Sequence, residues 1–323
     1  MEVLDLTIQQ TKNRSASAMM LTSLAILLEF ALVTFATVPQ GTPRKIVSDD
    51  FTKNRPQGPA LESSNQKSPG SRQSAKTTSA RQRRTYRLAS RPTSRRHPTS
   101  ENVVAQLGIT IWRLRPAKNG EAGTRALIRE KSSSSGWVPE RVEAETTFHE
   151  GDRVRLSVES PTKGYLYVLD RDVFADGTAG GVMLIYPWAG AENELRPGKL
   201  VDIPSQDDDP SYFTSRLTTP NQVGELLTFI VSKAPLDLSI SDKPLQISTV
   251  QITEWEKLWA GSTERFEMEG GAGEAWTLEE QQAAARKTGR QLTQDDPPPQ
   301  TIYRVSGGNS KVMFVNVRLQ YSR

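Results

Sequence analysis

The chain has 323 residues, 36% of them hydrophobic and 24% charged, which is sufficient for a soluble protein that buries a core. It contains no cysteine, which excludes disulfides, thiolate nucleophiles and cysteine-ligated metal centres. Its two histidines also exclude a metal site built from several histidines. Little of the familiar catalytic chemistry remains, so we expect neither an enzyme activity nor a cofactor.

The net charge of +4 hides a strong asymmetry along the chain. Residues 41–100 carry 14 basic and 3 acidic side chains, whereas residues 101–323 carry 25 basic and 31 acidic side chains. The high pI of 9.2 therefore describes a basic tract near the N-terminus and not the longer remainder of the chain.

An apolar stretch near the N-terminus spans residues 18–38 and lies between the basic residues Lys12 and Arg14 and the following Pro39. A basic flank, an apolar centre and small residues towards the end are typical of a secretory signal. About 20 apolar residues also suffice to cross a bilayer, so a retained anchor is the alternative, and a buried core helix is a third. We predict that residues 1–40 are a signal peptide or membrane anchor, and that the protein is exported to the periplasm, cell envelope or membrane.

Residues 41–100 are dominated by Ser, Thr, Pro, Gln, Arg and Lys, and they show no helical or strand periodicity. Such a composition buries too little apolar surface to offset the entropy lost on ordering, which predicts a disordered basic linker. Seven arginines cluster near its end: Arg81, Arg83, Arg84, Arg87, Arg91, Arg95 and Arg96. They would attract nucleic acid, an anionic lipid surface or an anionic envelope polymer, and export would leave only the last two as partners.

Strand patterns begin after the basic tract and predict a β-rich domain over residues 101–323. Residues 152–160 alternate between apolar side chains and Arg, Ser or Glu, which predicts a half-buried strand. Residues 164–170 follow a short turn and are rich in aromatic and branched side chains, which predicts a hairpin with the preceding strand. The run 182–186 would add a third strand to this meander.

Further strand patterns occur at 107–114, 125–128, 200–203, 226–231, 302–305 and 312–321. Many short strands separated by Gly, Pro and Asp turns predict an all-β fold, an antiparallel β-sandwich or barrel-like domain. Two short helices are predicted, one over residues 252–259 and one that begins at the capping box from Thr277 to Glu280. We expect this helical insertion, about residues 252–299, to decorate the sheets.

Five segments of this domain resemble the bacterial domain of unknown function 4384 family. They are Phe148 to Val158, Gly164 to Leu169, Leu184 to Pro187, Leu195 to Pro204 and Gly224 to Val231. Their order is similar to the family's run of a Gly-Asp strand, a Gly-Tyr strand, a Pro-ended strand and a late strand. The resemblance covers about residues 145–236 and implies an exported, mostly β module that has no assigned activity and no catalytic residues.

Acidic side chains cluster after the second strand of the predicted meander. Asp170, Asp172 and Asp176 would suit calcium, but Phe174 and Ala175 occupy positions where an EF-hand loop has an oxygen ligand and a glycine. We therefore predict a solvated loop without metal.

Two further sets of side chains are candidates for function. Glycoside hydrolysis needs two carboxylates roughly 5 to 10 Å apart, and converging loops could supply them from Asp170, Asp172, Glu192 and Glu194. Four aromatic residues near strand ends, Tyr165, Tyr167, Tyr186 and Trp188, are candidates for ligand binding, with core packing as the alternative.

Our leading hypothesis is an exported cell-envelope interaction module that a flexible basic spacer tethers. Its ligand is unknown and would be an envelope polymer or a protein partner. The alternatives are a carboxylate-dependent hydrolase of envelope glycans, and polyanion or nucleic-acid binding through the basic tract.

Overall fold

A computed structural model describes residues 49–58, 104–118, 128–129, 136–241, 243–285 and 289–323. These residues all belong to one compact unit, residues 41–323. The predicted signal or anchor and the seven clustered arginines lie outside the described residues. Among the helices that are described, none combines the length and apolar character needed to cross a membrane.

The described residues form two β-sheets and three short helices, which confirms the predicted all-β sandwich. The first sheet contains β1 (Ala105–Pro116), β2 (Ile128–Arg129), β3 (Gly136–Val142), β5 (Arg153–Glu159), β9 (Val201–Ile203), β10 (Phe213–Thr214), β13 (Ser262–Glu267) and β14 (Thr301–Ser306). The second sheet contains β4 (Thr147–His149), β6 (Gly164–Phe174), β7 (Val182–Tyr186), β8 (Glu194–Leu195), β11 (Gln222–Ser232), β12 (Leu245–Ile247) and β15 (Val312–Ser322). The helices are α1 (Asp49–Thr52), α2 (Thr249–Trp259) and α3 (Leu278–Ala284).

The main path of the first sheet is β10-β5-β1-β14-β13, and that of the second is β12-β7-β6-β11-β15-β4. The strand pairs within the described residues are antiparallel except for β15 with β4, which is parallel. One large apolar cluster contains alternate residues of both sheets, such as Ile109 and Leu156 from the first and Val168 and Phe229 from the second. The inner faces of the two sheets therefore share the main core.

The predicted hairpin between the strands that became β5 and β6 is wrong, because the two strands belong to different sheets. β5 pairs with β1, β9 and β10, whereas β6 pairs with β7, β8 and β11. The apolar faces of both strands still meet, but they do so across the core, where Val158 and Leu166 belong to the same cluster. The other half of the predicted meander, β6 with β7, is confirmed.

Both sheets are also partly covered on their outer faces. On the second sheet, Ile252 of α2 packs with Tyr167, Ile230 and Phe314 in a separate apolar cluster. On the first sheet, Arg155, Ser157 and Glu159 of β5 are at most 2% exposed. The prediction that this strand is half-buried is therefore wrong, because its polar face lies beneath other parts of the chain.

The charged side chains beneath this cover are paired. Arg155 Nη2 lies 2.8 Å from Asp202 Oδ2, and Ser157 Oγ donates to Asp202 Oδ1 at 2.6 Å. Arg141 forms an ion pair with Glu280 of α3, and its Nη1 donates to the Pro298 carbonyl at 2.7 Å. Burial of charge is tolerated only with such partners.

The helical insertion is more deeply integrated than the sequence predicts. The capping box is confirmed: Thr277 Oγ1 accepts from Glu280 N at 3.1 Å, and Glu280 Oε2 accepts from Thr277 N at 3.0 Å. However, Trp276 and Glu280 are only 3% exposed, and β13 pairs with β14 at the edge of the first sheet. The insertion thus supplies both an edge strand and the cover of the outer face.

Residues 49–58 lie inside the stretch predicted to be a disordered linker, and the structure differs there. Phe51 and Arg55 are 1% and 3% exposed, and both contact the β-rich domain. Hydrophobic periodicity does not indicate this attachment, because Phe51 and Arg55 alone make most of the side-chain contacts.

Candidate functional site

The four predicted aromatic residues do not form an exposed set. Tyr167 and Tyr186 are 2% and 3% exposed, so binding at an open surface is wrong for these two. The Tyr167 hydroxyl accepts from Leu236 N at 2.8 Å, and the Tyr186 hydroxyl donates to a backbone carbonyl at 2.5 Å. Tyr165 and Trp188 are partly exposed, and both also pack against apolar clusters. Core packing is the main use of this set.

Two of the predicted carboxylates meet a third that the sequence analysis did not single out. Glu225 on β11 is the direct neighbour of Asp172 on β6, and Asp170 precedes Asp172 by two residues on the same strand. Tyr321 Oη donates to Glu225 Oε2 at 2.6 Å, and Gln222 Nε2 donates to Asp172 Oδ1 at 2.7 Å. Asp170, Asp172 and Glu225 are called the carboxylate cluster below.

The proximity of these acids changes their protonation. Burial, followed by the charges of Glu225 and Asp172, raises the pKa of Asp170 to about 8. Burial also raises the pKa of Glu225. The Oδ1 atom of Asp170 is buried and has no hydrogen-bond partner in the described part of the chain. The raised pKa of Asp170 favours its protonated form.

The remaining predicted carboxylates lie elsewhere. Asp176 is fully exposed, and its Oδ1 accepts from Thr178 N at 2.9 Å within its own turn. Glu194 pairs with Tyr165 near the start of β6, whereas Asp170 lies towards its end. No group of three His, Cys, Asp or Glu side chains among the described residues is placed to hold a metal ion. The four carboxylates considered for hydrolysis do not converge as a set.

A groove rich in arginine and aromatic side chains lies where β1 ends and β5 begins. Its volume is about 310 Å³, and it is lined by Arg113, Leu114, Arg115, Pro116, Trp137, Gly151, Asp152 and Arg153. Strand register brings these residues together: Leu114 of β1 pairs with Arg153 of β5, and Pro116 pairs with Trp137 of β3. We call these residues, with the adjacent Tyr212, the arginine groove.

Arg153 is held between two aromatic rings. Its guanidinium carbon lies 3.8 Å from the centroid of the Trp137 ring and 4.4 Å from that of Tyr212. Contact with two rings fixes the orientation of the planar guanidinium. The indole Nε1 of Trp137 is buried without an acceptor among the described residues.

The lining of the arginine groove carries an excess of positive charge. Arg115 Nε donates to Glu140 Oε1 at 2.6 Å, whereas no hydrogen bond or ion pair joins the side chain of Arg113 to another described residue. Asp152 is the one carboxylate among the lining residues. The groove thus presents three guanidinium groups against Asp152 in its lining and Glu140 beside Arg115, an excess of one positive charge that suits an anion.

A second cavity of about 210 Å³ lies beside the end of α3, and its cations are all compensated. Arg196 Nη2 lies 2.6 Å from Glu194 Oε2, Lys199 Nζ lies 3.3 Å from Glu192 Oε2, and Arg290 pairs with Asp296. The buried Asp202 adds a further acid to this lining. The arginine groove is therefore the better anion site.

Sequence reasoning missed the arginine groove because it depends on the pairing of β1 with β5. Arg113 lies at the end of one predicted strand, Arg115 directly follows that strand, and Arg153 lies at the start of another. Arginines at a strand end and a strand start meet only if the two strands are antiparallel neighbours. A prediction that β1 and β5 are antiparallel neighbours would therefore have indicated this site.

Comparison with protein-family models, curated proteins and solved structures finds no match for this chain. The resemblance to the domain of unknown function 4384 family stays a prediction.

Proposed function

We propose that this protein is an exported interaction module whose arginine groove binds an anionic polymer of the cell envelope. The single observation that carries the proposal is the groove itself, with three guanidinium groups around a cavity and one of them held between Trp137 and Tyr212. Guanidinium groups bind carboxylates and phosphates in a bidentate manner, and aromatic residues with arginine are enriched at binding interfaces.

The envelope location follows from two predictions made from the sequence. One is the basic and apolar pattern of residues 1–40, and the other is the resemblance to a family of exported modules. A fusion of residues 1–45 to a reporter active only outside the cytoplasm tests this location. An inactive reporter with stable cytoplasmic protein would contradict it and would restore nucleic acid as a candidate partner.

The groove is tested with dextran sulfate as an anionic polymer and dextran as the neutral control. We expect the full chain to bind dextran sulfate alone, and the affinity to fall as salt screens the charges. The variant Arg113→Gln/Arg153→Gln should bind at least about tenfold more weakly, since a charge-assisted hydrogen bond contributes roughly 1.5 to 3 kcal/mol.

The matched control is Arg318→Gln, which removes the charge of an exposed arginine on β15. It should change the affinity little. Equal losses in the double variant and the control would show that the basic tract or the overall charge binds the polymer, and would refute the role of the groove.

A second candidate, a carboxylate-dependent glycan hydrolase, is favoured by one observation, the raised pKa of Asp170 beside Asp172 and Glu225. A protonated acid next to a carboxylate is the pair that glycoside hydrolysis needs. The test is release of reducing ends from envelope glycan by the full chain and by Asp170→Asn. Absence of release by the unmodified chain excludes this candidate.

A further inference from the structure

The strap, residues 49–58, enters the domain through the side chain of Phe51. Phe51 is 1% exposed and packs with Phe266 of β13 and Ile302 of β14. The ring also lies against β1 at Gly108, where an added Cβ would lie 2.8 Å from Phe51 Cζ and 2.4 Å from Pro299 Cγ. A side chain at position 108 would therefore fill the space that the Phe51 ring occupies.

Each nitrogen of the Arg55 guanidinium group donates hydrogen bonds to the domain. Its Nε and Nη2 atoms donate to the two carboxylate oxygens of Glu159 at 2.7 and 2.6 Å. Its remaining donors reach the backbone carbonyls of Thr293, Asp296 and Pro297 at 2.9 to 3.2 Å. These bonds use all five N–H donors of the guanidinium group.

The backbone of the strap is also recognised. Gln294 Nε2 donates to the carbonyls of Lys53 and Arg55 at 2.8 and 3.1 Å, and Gln294 N donates to the Pro56 carbonyl at 3.1 Å. The surface thus combines an apolar pocket for Phe51, a buried carboxylate for Arg55 and hydrogen bonds to the backbone of the strap. Peptide-binding sites combine contacts of these kinds.

We propose that this surface of the domain is a peptide-recognition site for a Phe-x-x-x-Arg-Pro segment, and that residues 49–58 of the same chain occupy it as a separable unit. Glu159 is 1% exposed and pairs with no other cation among the described residues, so an occupant without arginine would leave a buried charge unpaired. The strap joins the rest of the domain in sequence only through residues 59–103. Its attachment to the domain therefore depends on non-covalent contacts.

The inference changes how the basic tract is attached. The seven clustered arginines lie between Gly58 and Val104, and both of these residues belong to the domain. The predicted sixty-residue spacer is thereby shortened: residues 41–48 alone separate the strap from the predicted signal or anchor. This last consequence rests on the proposed export, whereas the peptide site itself does not.

Cleavage of the chain between its two attachment points tests the proposal. A specific protease site, preceded by an affinity tag, is inserted within residues 59–103 of the full chain, which is cut and then captured by the tag. We expect the C-terminal fragment to be captured in equal amount with the tagged fragment. An excess of a synthetic peptide of residues 49–58 should release it, and a scrambled peptide should not.

Variants of the strap identify the contacts. Phe51→Ala and Arg55→Ala should each reduce capture at least about tenfold, the change that 1.4 kcal/mol produces. Lys53→Ala is the matched control, because Lys53 lies in the same segment and its side chain is 62% exposed. Phe51→Ala leaves the Arg55–Glu159 pair intact, so it stays informative if Arg55→Ala fails to fold.

Separation of the unmodified fragments after cleavage would overturn the proposal, and so would equal capture by all variants. The arginine-groove variant Arg113→Gln/Arg153→Gln should be captured like the unmodified chain. Failure of the anionic-polymer function would thus leave this result unchanged.

Discussion

We predict that Asp170 makes the stability of this protein fall as the pH rises from about 4 to about 8. Burial, Glu225 and Asp172 raise its pKa from the ordinary 3.8 to about 8 in the folded protein. At a pH below the pKa of the unfolded chain, Asp170 is protonated in both the folded and the unfolded state, so it does not make the free energy of unfolding depend on pH. Between pH 4 and pH 8 the unfolded chain releases the proton while the folded protein keeps it. The free energy of unfolding therefore falls as the pH rises through this window, and it becomes constant above the folded pKa.

The size of this effect follows from the two pKa values. Each pH unit between them corresponds to 1.36 kcal/mol, so the loss of stability from pH 4 to pH 7 is at most about 4 kcal/mol. Asn has the shape of the neutral acid and does not titrate. Asp170→Asn should therefore match the unmodified protein near pH 4 and exceed its stability by several kcal/mol near pH 8.

Urea unfolding of the full chain from pH 4 to pH 8, followed by tryptophan fluorescence, measures this difference. Glu225, whose pKa is also raised, should leave a smaller pH dependence in the variant. Asp176→Asn is the control, because Asp176 is fully exposed. If Asp170→Asn keeps the slope of the unmodified protein, Asp170 is ionised in the folded state and the argument fails.

Three further predictions concern the covered face and the acidic loop. Asp202→Asn should destabilise the fold by about 3 to 5 kcal/mol, because it leaves Arg155 as an unpaired buried charge, whereas exposed Asp207→Asn should change the urea midpoint little. Thr277→Ala removes one half of the capping box and should lower the free energy of unfolding by about 1 kcal/mol in the same assay. Calcium should leave the melting temperature unchanged, because no three acids of the described residues are placed to hold a metal ion. A rise of many degrees that disappears when Asp170, Asp172 and Asp176 become Asn would contradict this.

The sequence predicted the strands better than their environment. Alternation placed β5 and β15 correctly, and the Thr277 capping box placed α3. However, alternation of apolar and charged residues is also what a strand shows when its charges are buried in ion pairs. Arg155 and Glu159 each have a partner more than 40 residues away in sequence, and no local pattern reveals such a partner.

Local sequence patterns could not predict the strand pairing or the candidate site, because both depend on partners that are distant in sequence. A short turn between two strand patterns indicates a hairpin, yet residues 160–163 connect two sheets. The extensive antiparallel pairing of β6 with β11 fixes β6 in the second sheet, while β1 pairs with β5 in the first. These choices between long-range partners bring Arg113 to Arg153 and Asp172 to Glu225.

The buried ion pairs distinguish the covered part of the first sheet from the part that stays open. Glu159 binds the strap through Arg55, and Arg141 binds α3 through Glu280, so each pair joins the sheet to one covering segment. An apolar face would accept many segments of suitable shape, whereas a buried carboxylate excludes any segment that lacks a cation, because an unpaired buried charge costs several kcal/mol. At the arginine groove the sheet again presents charges, but there Arg113 meets no carboxylate of the described chain. Where the sheet is covered, its buried charges thus have partners within the chain, whereas at the groove the side chain of Arg113 has no ion-pair partner among the described residues.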